Sequence, residues 1–160
     1  PPGTNVVGDQ RFQSRFVDGN DALFQVRSNI KSANSVIASY ADGSTAYTSG
    51  ADQLVLKIAS VDSSNNIIAD TFDYFVFFLD ANKLRFKTFP NALSSRKAQD
   101  QIFSNLADSL KFQYLNSANP PIEVTPFSAA KVRITLTLKQ KAGADFETTT
   151  ATSEANLRND

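Results

Sequence analysis

Asp21-Ala22-Leu23-Phe24-Gln25-Val26-Arg27-Ser28-Asn29-Ile30-Lys31-Ser32-Ala33-Asn34-Ser35-Val36-Ile37-Ala38-Ser39-Tyr40-Ala41 is the stretch on which the fold turns. Leu23, Val26, Ile30, Ala33, Ile37 and Tyr40 recur at steps of three and four, which lays one apolar stripe down a helix whose other face is Ser, Asn, Lys, Arg and Gln. Asp18, Asn20 and Asp21 are N-cap residue types, and Asp42-Gly43 offers a left-handed stop. The spacing predicts a helix over 21–41 with Leu23, Val26, Ile30, Ala33 and Ile37 packed on a sheet. Phe12 and Phe16 lie four apart, roughly in phase with Leu23, and are candidate contacts to other subunits. Gly19 interrupts between them at a cost of about 1 kcal/mol against Ala, so the helix bends or starts there. Residues 1–19 therefore form a flexible lead or the lower part of the helix, and residues 20–160 form one globular domain.

From Thr45 the period changes to two. Leu54, Leu56 and Ile58 alternate with Val55, Lys57 and Ala59 as a half-buried strand, and Asp62-Ser63-Ser64-Asn65-Asn66 is a turn cluster. Phe72 to Leu79 is aromatic and β-branched enough for a central strand. Asp80-Ala81-Asn82-Lys83 turns it back into Leu84, Phe86 and Thr88, completing an antiparallel meander. Ile102, Leu106 and Leu110, spaced by four, predict a short second helix over 97–109. Phe112 and Tyr114 share one side of a following strand, and residues 116–128, with Pro120, Pro121 and Pro126, read as an extended loop. Val132, Ile134, Leu136 and Leu138 alternate with Arg133, Thr135, Thr137 and Lys139, and a Thr-rich return strand from Phe146 to Leu157 closes a hairpin. The predicted class is α+β, a long N-terminal amphipathic helix on an antiparallel sheet of about five to seven strands, with a short second helix.

The absent residues narrow the chemistry. With no Cys and no His, the chain has no thiol nucleophile, no thiolate or imidazole metal ligand and no disulfide, and it lacks the commonest general base. Sixteen basic and sixteen acidic residues cancel without a block of like charge, which argues against nucleic acid as a partner. With no Met anywhere, Pro1 is not a translation start, so the chain is expected to be a processed or excised piece of a longer protein. Its longest apolar run, Tyr74-Phe75-Val76-Phe77-Phe78-Leu79, is far shorter than the roughly 20 residues of a membrane-crossing helix.

Carboxylates come closest to a site. Asp18, Asp21, Asp42, Asp62, Asp70, Asp73 and Asp80 fall mostly in predicted turns, where Asp bonds nearby backbone amides, and no stretch has the ligand order of a calcium loop. A two-carboxylate glycosidase depends on a separation in space that sequence does not give. Thirteen Phe against four Tyr and no Trp point to core filling rather than to a stacking platform. The six Gly form no phosphate loop, and Ser94-Ser95-Arg96-Lys97 reads as a cap and solvated turn rather than an anion site. No catalytic residue, metal site or cofactor is expected.

In chain order, the helical segment 21–34, Gln53-Leu54-Val55-Leu56, Asp73-Tyr74-Phe75-Val76-Phe77, Asn82-Lys83-Leu84-Arg85, Leu110-Lys111-Phe112-Gln113-Tyr114, Val132-Arg133-Ile134-Thr135-Leu136 and the terminal Leu157-Arg158-Asn159 resemble type IV pilin-like proteins, best of all minor pilins and J-type pseudopilins of type II secretion. The resemblance implies a structural subunit that acts in assembly initiation or at the tip of a pilus or secretion filament. Its partners would be other pilin or pseudopilin subunits, met through exposed loops such as 116–128, with no small-molecule substrate. It also implies anchorage in the cytoplasmic membrane through an N-terminal helix missing here, with this domain extracytoplasmic in the cell envelope. The sequence departs from the family in lacking the prepilin peptidase site, the apolar spine and the Cys pair of major pilins. The alternative is a cell-surface adhesion or ligand-binding module, because one fold hosts unrelated functions.

Overall fold

The computed structural model describes the backbone of residues 2–158 and the side chains of Arg15 and of residues 17–158. Its elements are the helix α1 (Pro2–Ser32) and the strands β1 (Ser35–Val36), β2 (Ser39–Asp42), β3 (Thr45–Thr48), β4 (Leu54–Val61), β5 (Ile67–Asp80), β6 (Lys83–Phe89), β7 (Gln99–Ser104), β8 (Ala107–Leu115), β9 (Lys131–Ala142) and β10 (Asp145–Asn156), with a single 3-10 turn at Pro126–Ser128. The strands form three antiparallel sheets, ordered β1-β4-β5-β6-β7, β10-β9-β8 and β2-β3. The predicted α+β class, a long helix on one sheet with a short second helix, is therefore corrected: the domain is mostly β, and α1 is its one α-helix among the described residues.

The helix predicted to reach residue 41 stops at Ser32. Beyond it the chain joins the edge of β4: the Asn34 amide donates to the Lys57 carbonyl at 2.8 Å, the Ile37 amide to the Val55 carbonyl at 3.0 Å, and Asn34 Oδ1 accepts from the Ala59 amide at 2.8 Å. Asn34, Ser35, Val36, Ile37, Ser39 and Tyr40 are all poor helix formers, each about 0.5 kcal/mol worse than Ala, and Val36 gains about 1.5–3 kcal/mol by full burial in the sheet. Ile37 and Tyr40 continue the helical spacing by coincidence. Gly43, at φ +61°, turns the hairpin between β2 and β3 rather than ending a helix.

The second helix, over 97–109, is replaced by β7 and the start of β8. Residues Gln99 to Ser104 pair with Thr88 to Leu84 of β6, and Phe103 stacks on Phe86 with ring centroids 5.1 Å apart. Ser104, Asn105, Asp108 and Ser109 compete with a helical backbone through their own side chains, which leaves a four-residue spacing of apolar side chains with no helix beneath it.

The core lies between the five-stranded sheet and the three-stranded sheet. Leu54, Leu56, Phe75, Phe77, Leu84 and Phe86 face Leu110, Phe112, Val132, Ile134, Leu136 and Leu138 across it, and α1 contributes Ala22, Leu23, Val26 and Ile30. The helix packs on β10, β9 and β7. Ser104 Oγ donates to Asp18 at 2.5 Å and Arg27 Nε to the Glu154 carbonyl at 3.0 Å, fixing the helix to both sheets. The helix runs through Gly19 without a break because the glycine lies against β9, where an added Cβ would sit 3.0 Å from Leu138 Cδ1.

On the outer face of the five-stranded sheet, the β2–β3 hairpin lays Tyr47 over Val55 and Val76, with Ile37, Tyr40, Phe78 and Phe89 around them. Leu54-Val55-Leu56 and Phe75-Val76-Phe77 are consequently buried on both faces, which is why they read as unbroken apolar runs rather than alternating ones.

Ile30→Ala should lower the free energy of urea unfolding by about 2–5 kcal/mol, whereas Phe24→Ala on the opposite face of α1 should change it by about 0.5 kcal/mol or less. Equal losses from the two variants would place the packed face of the helix elsewhere.

Candidate functional site

β5 carries Asp73 on the inward side of the strand, in phase with Phe75 and Phe77 and fully buried. A carboxylate in that position needs a donor for every lone pair that water would have served. Ser60 Oγ at 2.6 Å and the Asn91 amide at 2.8 Å donate to Oδ1, while Ser94 Oγ at 2.7 Å and Arg96 Nη1 at 2.8 Å donate to Oδ2. Burial pushes the carboxyl up, but the bonds from Ser60, Arg96, the Asn91 amide and Ser94 outweigh it and hold Asp73 below the usual carboxylate range. Arg96 Nη1 also donates to the Ala59 carbonyl at 2.6 Å, and the Ser95 amide donates to the Val61 carbonyl at 2.7 Å. The network thus folds the segment between β6 and β7 down onto β4 and β5. With these four donors in place, the Asp73 carboxylate ties the segment between β6 and β7 to the two strands.

Next to this network a cleft of about 370 Å³ opens at the end of the five-stranded sheet. Phe75 and Phe86 form its floor, Thr88 and Gln99 one wall, and Asn29 of α1 the other, with Ser95, Arg96 and Lys97 at the rim. Phe75, Thr88 and Gln99 lie side by side across β5, β6 and β7.

The residues singled out in the sequence are distributed as follows. Leu23, Val26, Ile30 and Ala33 are buried in the main core, Ala33 just past the end of α1. Ile37 is only partly buried and belongs to the small outer cluster. The side chains of Phe12 and Phe16 lie outside the described residues. Among the aspartates, Asp62 bonds the amides of Ser64 and Asn66 as a turn former, and Asp80 and Asp100 flank Arg85, at 2.8 and 2.5 Å. A guanidinium bridging two carboxylates serves the sheet rather than acid–base chemistry. No group of three His, Cys, Asp or Glu side chains that could hold a metal ion occurs among the described residues.

Asp73 is the residue that turn chemistry misassigned, since it sits within β5 and not in a turn. Its signal was present in Phe72-Asp73-Tyr74-Phe75: a charge at an inward position of an aromatic strand demands a buried partner. That the partner is Arg96, in a segment read as a solvated corner, is visible only in the folded chain.

No family model and no curated protein matches this chain. The resemblance to type IV pilin-like proteins is corrected on that finding and on the fold, a mostly β domain of three antiparallel sheets.

Asp73→Asn should cost about 3 kcal/mol at neutral pH, because it leaves Arg96 without its counter-charge. Since the fold lowers the carboxyl's pKa, its contribution to stability is complete above the unfolded value of about 4 and is lost as the pH falls through the lower folded value. Urea midpoints measured from about pH 6 down to about pH 2 should therefore fall less steeply for Asp73→Asn than for the parent. Parallel curves would refute the paired carboxylate.

Proposed function

We propose that this chain is a non-catalytic structural domain that joins other protein chains through the outward face of α1. The observation that carries the reading is the pair Val17 and Phe24, 56% and 68% exposed. They lie seven residues apart, two turns along the helix, and so share one side, opposite Ala22, Val26 and Ile30. Val17 and Phe24 form an apolar pair on an outer face that is otherwise polar at Asn20, Asp21, Ser28 and Lys31, a surface on which another chain can bury them. The composition supports the absence of catalysis, with no His and no Cys. The saturated Asp73 supports it further, being the one fully buried carboxylate among the described residues. None of the described helices is long and apolar enough to cross a membrane. A filament system, an upstream anchor and a place in the cell envelope came with the pilin resemblance alone, and they form no part of this proposal.

The second reading, a ligand-binding or adhesion module, is favoured by the cation-rimmed cleft beside Asp73 and does not compete for the same surface.

Because the chain has no native cysteine, single-cysteine trapping reads the helix face directly. Phe24→Cys at high protein concentration should form a disulfide-linked species much faster than Ser64→Cys in the exposed turn after β4, and Val17→Glu should slow that trapping about tenfold, the effect of about 1.4 kcal/mol. Equal trapping at positions 24 and 64, with only monomer in sedimentation, would overturn assembly of like chains through α1.

A further inference from the structure

The cleft at the end of the five-stranded sheet has a chemistry that the assembly reading does not use. Thr88 lines the cleft, and its hydroxyl, bonded to no described residue, stays open to the cleft rather than sealed in the core. A ligand atom in the cleft can therefore take a hydrogen bond from this hydroxyl without displacing a protein partner. Arg96 spends both Nη1 protons on Asp73 and the Ala59 carbonyl, which fixes its guanidinium at the rim and leaves Nε and Nη2 as donors without a protein partner. Lys97 stands next to it, exposed, as a second cation. No acidic side chain lines the cleft among the described residues, while Phe75 and Phe86 make its floor apolar. A concave site with an apolar floor and a few convergent donors, at the small end of the roughly 300–1,000 Å³ range, suits a compact amphiphile.

We propose that this cleft binds a small apolar carboxylic acid, its ring or branched chain on Phe75 and Phe86 and its carboxylate held by Arg96, Lys97 and the Thr88 hydroxyl. Charge selects the occupant: Asp73 offsets the Arg96 guanidinium, which leaves Lys97 as the net positive charge at a rim whose lining holds no acid, and that favours an anion over a neutral or cationic group. Arg96 offers Nε and Nη2 as two adjacent donors on one planar group, which matches the two oxygens of a carboxylate. Asp73 acts behind this arrangement as a positioning residue, because it orients the guanidinium without reaching the ligand. The proposal is independent of assembly through α1, so each stands or falls without the other.

Phenylacetate is the probe, and phenylacetamide, of the same shape without the charge, is the control. Titration of the isotope-labelled chain to about 20 mM should give saturable NMR shifts at the Thr88 and Lys97 amides and the Arg96 side-chain Nε–H, with phenylacetamide about tenfold weaker. Thr88→Val, which keeps the shape of the side chain and removes its hydroxyl, should weaken phenylacetate about tenfold, and Lys97→Gln about threefold to fivefold. Arg96 is left unchanged in these tests because its loss would also break the Asp73 network; the unperturbed spectra of the two variants establish that they remain folded. Absence of shifts at the cleft would overturn the proposal, as would equal binding of acid and amide, or binding indifferent to both substitutions.

Discussion

Burial of the β4–β5 pair on both faces is the constraint from which the other elements take their places. Leu54, Val55 and Leu56 lie against Phe77, Val76 and Phe75 in antiparallel register, and every one of these side chains is removed from water. A sheet exposed on one side would leave Val55 and Val76 in solvent, each forfeiting about 1.5–3 kcal/mol of burial. Two covers are therefore required. The three-stranded sheet with α1 supplies the inner one, and the β2–β3 hairpin, through Tyr47, supplies the outer one. The second requirement is what ends the helix early, since the residues that would have extended it are those that run along β4 and then form the hairpin.

A single ionic network controls the open end of the same sheet. Asp73 draws Ser94, Arg96 and the Asn91 amide onto the strand ends, so a segment without regular structure is held by hydrogen bonds rather than by packing. This has two consequences: the loop is immobilised without filling the space above Phe75 and Phe86, and a guanidinium is left at the rim with donors to spare. Stability and binding chemistry are coupled here, because one carboxylate serves both. At the far side of the molecule the arrangement differs. Arg15, nearly buried, pairs with Glu147 at 2.9 Å and bonds Thr149 at 3.0 Å, holding α1 to β10 without forming a comparable cleft.

The exposed face of the three-stranded sheet shows how much a hairpin can do without burial. Thr135 faces Thr152 and Thr137 faces Thr150 across β9 and β10, with hydroxyl oxygens 3.4 and 3.0 Å apart, and Arg133 pairs with Glu154. The hydrogen bond from Arg133 and the surrounding positive charge keep the Glu154 carboxyl below its usual range. Cross-strand pairs of this kind contribute about 0.2–1 kcal/mol each, so the Thr-rich composition of β10 is accounted for by sheet pairing.

The sequence by itself determined the strands whose one face is apolar. Val132, Ile134, Leu136 and Leu138, and Leu84 and Phe86, declare their period because alternation is a local property of the chain. It also placed Leu23, Val26, Ile30 and Ala33 on one apolar stripe, and those residues lie in the core. Only the tertiary structure decided where that stripe ceased to be helical, because Ile37 and Tyr40 satisfy the helical spacing equally well and the competing partner, β4, is some twenty residues further along. The same holds for 97–109, whose four-residue spacing yields to pairing with β6. Likewise, the partner of Asp73 lies 23 positions along the chain, and the cleft beside it brings Asn29 of α1 against residues of β5, β6 and the segment before β7. Local periodicity reports what a segment offers to its neighbours, and the choice among neighbours is made by long-range hydrogen bonds and burial that no window of sequence contains.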